Sequence, residues 1–171
     1  MDAQLLTADF FTLFGFPRAY EIDALALRDE YRALQTQIHP DRFAHGSDQE
    51  KRLAVQCAAH VNEAFATLKD PVRRARYLLE LVGANWTDES ATLNDTVFLM
   101  EQMELRERLE ELSEDEAPAF MADVDQRMAA LQRNFGELWS KDNDASRRQA
   151  QTVVRKMQFL SKLRADADAR F

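Results

Sequence analysis

The chain has 171 residues, 46% of them hydrophobic and 30% charged, with only four glycines and four prolines. This composition is globular rather than disordered, allows one medium domain or two small ones, and favours long helices, since Ala, Leu, Glu, Arg and Gln abound. A net charge of −8 removes the usual drive toward nucleic acid, apolar runs such as Val97–Met100 fall far short of a membrane span, and a single cysteine excludes an internal disulfide or a cysteine-only metal site.

The first turn of chain holds Asp2 and Asp9 and no base before Arg18. That is unlike a secretory or transit peptide, and a reducing, cytoplasmic setting is expected. Thr7 can cap a short helix through Phe10, Phe11 and Phe14, stopped by Gly15 and Pro17. Asp23 is a suitable cap for a second helix, in which Leu27, Tyr31, Leu34 and Ile38 form one apolar stripe. This helix must end near His39, because Pro40 drives its predecessor out of helical geometry. A polar loop, Asp41 to Gly46, is predicted next. Ser47 and Glu50 then make a capping box for a third helix with the stripe Leu53, Cys57, Val61, Phe65 and Leu68. Asp70-Pro71 opens a fourth helix through Tyr77 and Leu81.

Gly83-Ala84-Asn85 breaks the pattern, and an Asp-, Ser- and Thr-rich stretch runs to Asp95. Three more helices follow. The first spans about Asp95 to Leu112. The second carries Phe120, Val124, Met128, Leu131, Phe135 and Leu138, and the third, after Asp142-Asn143-Asp144, carries Val153, Met157 and Leu160. Short connections predict an antiparallel bundle. The expected fold is therefore all-α, with a helical-hairpin domain over 1–82, a linker over 83–94 and a three-helix domain over 95–171.

Charge is unevenly shared. Residues 1–78 hold 10 bases and 11 acids, whereas 79–171 hold 12 and 19; the segment 95–116 alone has 9 acids and 2 bases. Such a block is either a solvated face or a docking surface for a basic partner.

His39-Pro40-Asp41 is the first candidate site. Proline restricts the backbone, so the hairpin presents an imidazole and a carboxylate in a defined turn. Taken alone the tripeptide is a helix stop. Its position between two matched helices, with Arg28 and Arg32 on the flank of the first, changes that reading. The segment Val61-Asn62-Glu63-Ala64-Phe65-Ala66-Thr67-Leu68-Lys69-Asp70-Pro71, with Arg74 and Tyr77, resembles the J-domain family, as does the opening Asp9-Phe10-Phe11-Thr12-Leu13-Phe14-Gly15. The resemblance implies a non-enzymatic module that docks on an HscA/DnaK-type chaperone and accelerates its ATP hydrolysis. Essential contact would fall to His39, Pro40 and Asp41, and steering to Arg28, Arg32 and Arg42. Arginine at 42 replaces a common lysine, which keeps charge but changes geometry.

Beyond Tyr77-Leu78-Leu79-Glu80-Leu81, the stretch Val97-Phe98-Leu99-Met100-Glu101-Gln102-Met103-Glu104-Leu105-Arg106-Glu107 resembles the HscB co-chaperone family of iron–sulfur cluster assembly. That resemblance implies delivery of an IscU-type scaffold to the chaperone, with no cofactor of the protein's own. At about 100° per residue, Phe98, Leu105, Leu109 and Leu112 make a core face. Leu99, Met100, Met103, Glu104, Glu107 and Glu111 lie mostly opposite, three adaptable apolar side chains followed by three carboxylates. Phe159 lies about 100° off its own helix's stripe and joins this patch if the two helices are neighbours. By resemblance these seven residues bind the scaffold. The alternatives are that Leu99, Met100 or Met103 pack against the first domain, or that the J protein serves a different client.

A metal site is the main rival. Cys57 and His60 have ligand-like spacing, and His39, His45 and Asp41 are nearby in sequence, but Cys57 belongs to the core stripe and a structural zinc needs four convergent ligands. No hydrolase or nucleotide-binding signature is present, nor are the Glu-x-x-His pairs of a carboxylate-bridged metal bundle.

Overall fold

A computed structural model describes residues 3–86 and 95–171 of the chain. The described residues form helices joined by turns, and the chain divides into two compact units, Met1–Arg74 and Ala75–Phe171. The division falls within the fourth helix. Residues 87–94, the larger part of the expected linker, lie outside the described residues.

In the first unit a 3-10 turn, Ala3–Leu6, precedes α1, Phe10–Leu13. The cap of α1 is Asp9 rather than the expected Thr7. Its Oδ1 accepts the Phe11 and Thr12 N–H groups, each at 3.1 Å. A carboxylate adjacent to the first helical residue satisfies two orphan donors that a more distant hydroxyl cannot reach. Burial pushes the Asp9 carboxyl up, but hydrogen bonds from Arg18 and Thr12 outweigh it and leave the group below the usual range. Gly15, with φ +72°, makes the turn that follows.

Helix α2, Ala24–Ile38, is capped by Asp23 as expected, and α3, Asp48–Lys69, by the reciprocal Ser47–Glu50 box. The two are antiparallel. Tyr31 stacks on Phe65 with ring centroids 4.0 Å apart, and its hydroxyl donates to the Asn62 side chain at 3.0 Å. Leu27, Ile38, Cys57, Val61 and Leu68 are buried as their stripe predicts, but Leu53 and Phe65 are only partly buried. Ala54 and Ala64 are fully buried instead: small residues let the helices approach closely while the larger side chains close the edges.

Helix α4, Pro71–Leu81, starts on Asp70, whose Oδ1 accepts the Val72 and Arg73 N–H groups at 2.8 Å. It ends on Gly83 at φ +81°. The Gly83 N–H bonds to the Glu80 carbonyl and the Ala84 N–H to the Leu79 carbonyl, the paired bonds of a Schellman stop. Arg74 lies over the Tyr20 ring at 5.2 Å, and burial raises the Tyr20 phenol to about 12 despite that charge.

The second unit contains α5, Thr96–Glu111; α6, Ala117–Ser140; and α7, Asp144–Arg170. Arg108 pairs with Asp123 and Glu101 with Arg127, so α5 and α6 run in opposite directions. Asp125 pairs with Arg164, which sets α7 against α6. Phe98 meets Phe159, and Arg170 donates to the Leu109 carbonyl, so α5 and α7 are parallel. The result is the expected up-down-up bundle. Its core joins Leu105, Leu109, Phe120, Val124, Leu160, Leu163 and Ala167. Met128 and Leu131 are partly exposed at its margin.

Candidate functional site

The first candidate site lies where α2 stops. His39 leaves helical geometry at φ −54° and ψ 128°, the conformation that a following proline favours. The expected loop after it is largely ordered. Pro40–Phe43 forms a 3-10 turn, closed by Arg42 N–H to His39 carbonyl and Ala44 N–H to Asp41 carbonyl. Proline at the first position needs no donor there, which explains why the turn forms. The Asp41 N–H donates to His39 Nδ1 at 3.3 Å, and the Asp41 carboxylate lies 3.6 Å from the same nitrogen.

The Asp41 side chain is 91% exposed and that of His39 59%. Neither is spent on packing. Arg28 and Arg32 are exposed on α2. Arg42 is exposed too, yet its guanidinium donates at 3.2 Å to the Thr36 carbonyl, whose i+4 position is Pro40 and has no N–H to offer. Arg32, Gln35, Thr36, His39 and Arg42 line one open depression of about 680 Å³. A carboxylate, an imidazole and two guanidiniums thus share one solvent-facing tip, suited to charge-assisted contact with another protein.

Cys57 is fully buried on α3, and burial pushes its thiol up, away from the reactive range. Among the described residues no three His, Cys, Asp or Glu side chains gather into a metal-binding group.

The second candidate site is on α5. Asp95 caps the helix through Phe98 N–H at 3.0 Å and pairs with Lys156 at 3.2 Å. The Phe98 bond, then Lys156, hold its carboxyl below the usual range. Phe98, Leu105 and Leu109 face inward as the helical arithmetic predicts. Met100 is 67% and Met103 63% exposed, Leu99 is half-buried at the edge, and Glu104, Glu107 and Glu111 are exposed. No ion pair among the described residues engages those three glutamates, whereas Glu101, on the other flank, is held by Arg127 at 2.6 Å.

Phe159 reaches α5 from α7. Its ring meets Phe98 edge-on at 5.9 Å and lies 5.6 Å from the Arg106 guanidinium. It is half-buried and packed against the core, and its ring contacts on α5 are with Phe98 and Arg106. The sequence reading overlooked Val97, at 77% the most exposed of the described large hydrophobics. The same 100° rotation that separated Met100 from the core would have found it.

A His-Pro-Asp tip on an antiparallel helical hairpin, in a chain that continues into a three-helix bundle, is the architecture of a J-domain co-chaperone. The comparisons make the assignment narrower. Residues 94–168 match the family described as the HSCB C-terminal oligomerisation domain. The co-chaperone HscB homolog of Shewanella woodyi is 41% identical over 165 residues, spanning 94% of this chain and 95% of that protein. The solved HscB of Vibrio cholerae superposes with a TM-score of 0.83 at 37% identity, covering 95% of this chain and 96% of that one. Human HscB gives 0.90 at 28% identity over 99% and 84%. The chain belongs to the HscB co-chaperone family.

Proposed function

We propose that this chain stimulates the ATPase of an HscA/DnaK-type chaperone and delivers an IscU-type iron–sulfur scaffold to it, assisting cluster transfer without catalysing a reaction itself. His39, Pro40 and Asp41 make the chaperone contact, with Arg28, Arg32 and Arg42 steering it. Leu99, Met100, Met103, Glu104, Glu107, Glu111 and Phe159 hold the scaffold. A cytoplasmic setting accords with the lone, buried cysteine.

The observation that carries this reading is the pairing of two unlike exposed surfaces: a charged tip on the hairpin and an apolar-acidic stripe on α5. One binds through charge and orientation, the other through burial. The test is a steady-state ATPase assay of an HscA-type chaperone with this protein and an IscU-type scaffold added separately and together. Stimulation beyond the sum of the two separate effects is expected. Stimulation by this protein alone, unchanged by scaffold, would instead assign it to a different client.

A further inference from the structure

Three of the large hydrophobics exposed among the described residues fall within two turns of α5: Val97, Met100 and Met103. They are spaced i, i+3 and i+6. Each step rotates about 60° around the helix and rises about 4.5 Å, so the three form one oblique ridge that climbs about 9 Å along the helix axis.

Local helix physics does not account for Val97. It sits at the second position of α5, where an acidic side chain would complement the helix dipole, yet the first turn of this otherwise acidic helix holds no acid. A β-branched residue on an exposed helical face also loses rotamer freedom for no packing return. A single exposed valine is ordinary on any protein surface. One aligned with two exposed methionines is a continuous apolar surface.

The ridge has a charged border. On the helical wheel Glu104 lies about 20° from Val97, and Glu107 lies between Met100 and Met103. Neither has an ion-pair partner among the described residues.

Resting on the proposed scaffold-binding reading, we infer that Val97 is a further client-contacting residue and opens this ridge. The partner surface it fits is an apolar furrow about three side chains long, bordered by lysine or arginine on the side that meets Glu104 and Glu107. The methionines adapt to the furrow, and the stiffer valine sets its end.

The test is calorimetric affinity of the full chain for an IscU-type scaffold, comparing Val97→Asp, Val97→Ala and the joint Met100→Ala, Met103→Ala variant. Val97→Asp adds a dipole-favoured acid to the first turn, so helix content by circular dichroism should hold. It should weaken binding about tenfold, and Val97→Ala about threefold, as expected for losing a buried aliphatic contact. ATPase stimulation without scaffold should stay unchanged for both. If both Val97 variants bind within twofold of the parent while the methionine variant is weakened, the ridge ends at Met100 and the inference is overturned alone. If the methionine variant also binds normally, the scaffold-binding reading fails with it.

Discussion

The hairpin tip and the α5 face are both exposed, yet they are built in opposite ways. At the tip, His39 and Asp41 project from a short ordered turn, with Arg32 and Arg42 beside them. On α5, apolar side chains are left in water by a regular helix whose other side supplies the core. The tip needs orientation, because charge-assisted contacts weaken steeply when misaligned. The α5 face needs area, because apolar burial is non-directional. A hairpin end suits the first and a helix surface suits the second.

The comparison breaks most sharply at Asp41. Asp41→Ala should cut chaperone stimulation by about 30-fold or more, the loss expected when one partner of a close charge pair is removed. Scaffold affinity and melting temperature should be unchanged, since the side chain is almost fully exposed. A large fall in melting temperature would make the tip structural instead. Joint Met100→Ala and Met103→Ala should do the reverse, weakening scaffold binding about tenfold while leaving stimulation without scaffold intact. Unaltered affinity in calorimetry would remove that face from the interface.

Salt should separate the mechanisms less strongly. Raising ionic strength from about 0.1 M to about 1 M shortens the screening length from about 10 Å to about 3 Å. Chaperone association should slow by a larger factor than the scaffold dissociation rate rises, measured by stopped-flow or surface-binding kinetics. Equal responses would mean that the α5 face, too, works mainly through its glutamates.

The smallest effect is expected at Asp95. Asp95→Ala should cost about 1 kcal/mol through the lost cap, seen as earlier thermal fraying of α5. The sign of its pH dependence follows from the depressed carboxyl. The cap's contribution is fully present above the unfolded-chain value of about 3.9 and is lost as pH falls through the lower folded value. Glu116, Asp9 and Glu50 are held low as well, so acid titration of the full chain should show a loss of stability below about pH 4 that is smaller, not absent, in the Asp95→Ala variant.

Much of the fold was legible because helix signals are local. Asp23, the Ser47–Glu50 box and Asp70-Pro71 all cap where their sequence context places them, and Asp95, read only as the start of a helix, caps α5. The errors arose where two local solutions competed. Asp9 outcompeted Thr7 at the first cap, and Pro40 nucleated a 3-10 turn where a loop was expected. On α5, rotation alone separates the core residues from Met100 and Met103, and the same rotation puts Val97 about 90° from the centre of the core face.

By itself, the amino-acid order determined the helices, most of their caps, the turn that presents His39 and Asp41 and the two unlike faces, because each depends on residues within a turn or two of one another. Tertiary structure alone decided the rest. It half-buried Leu99 and set Phe159 between Phe98 and Arg106. Those outcomes depend on which helices pack side by side and at what rotation, a choice made by the shape of the whole core and not by any local run of residues.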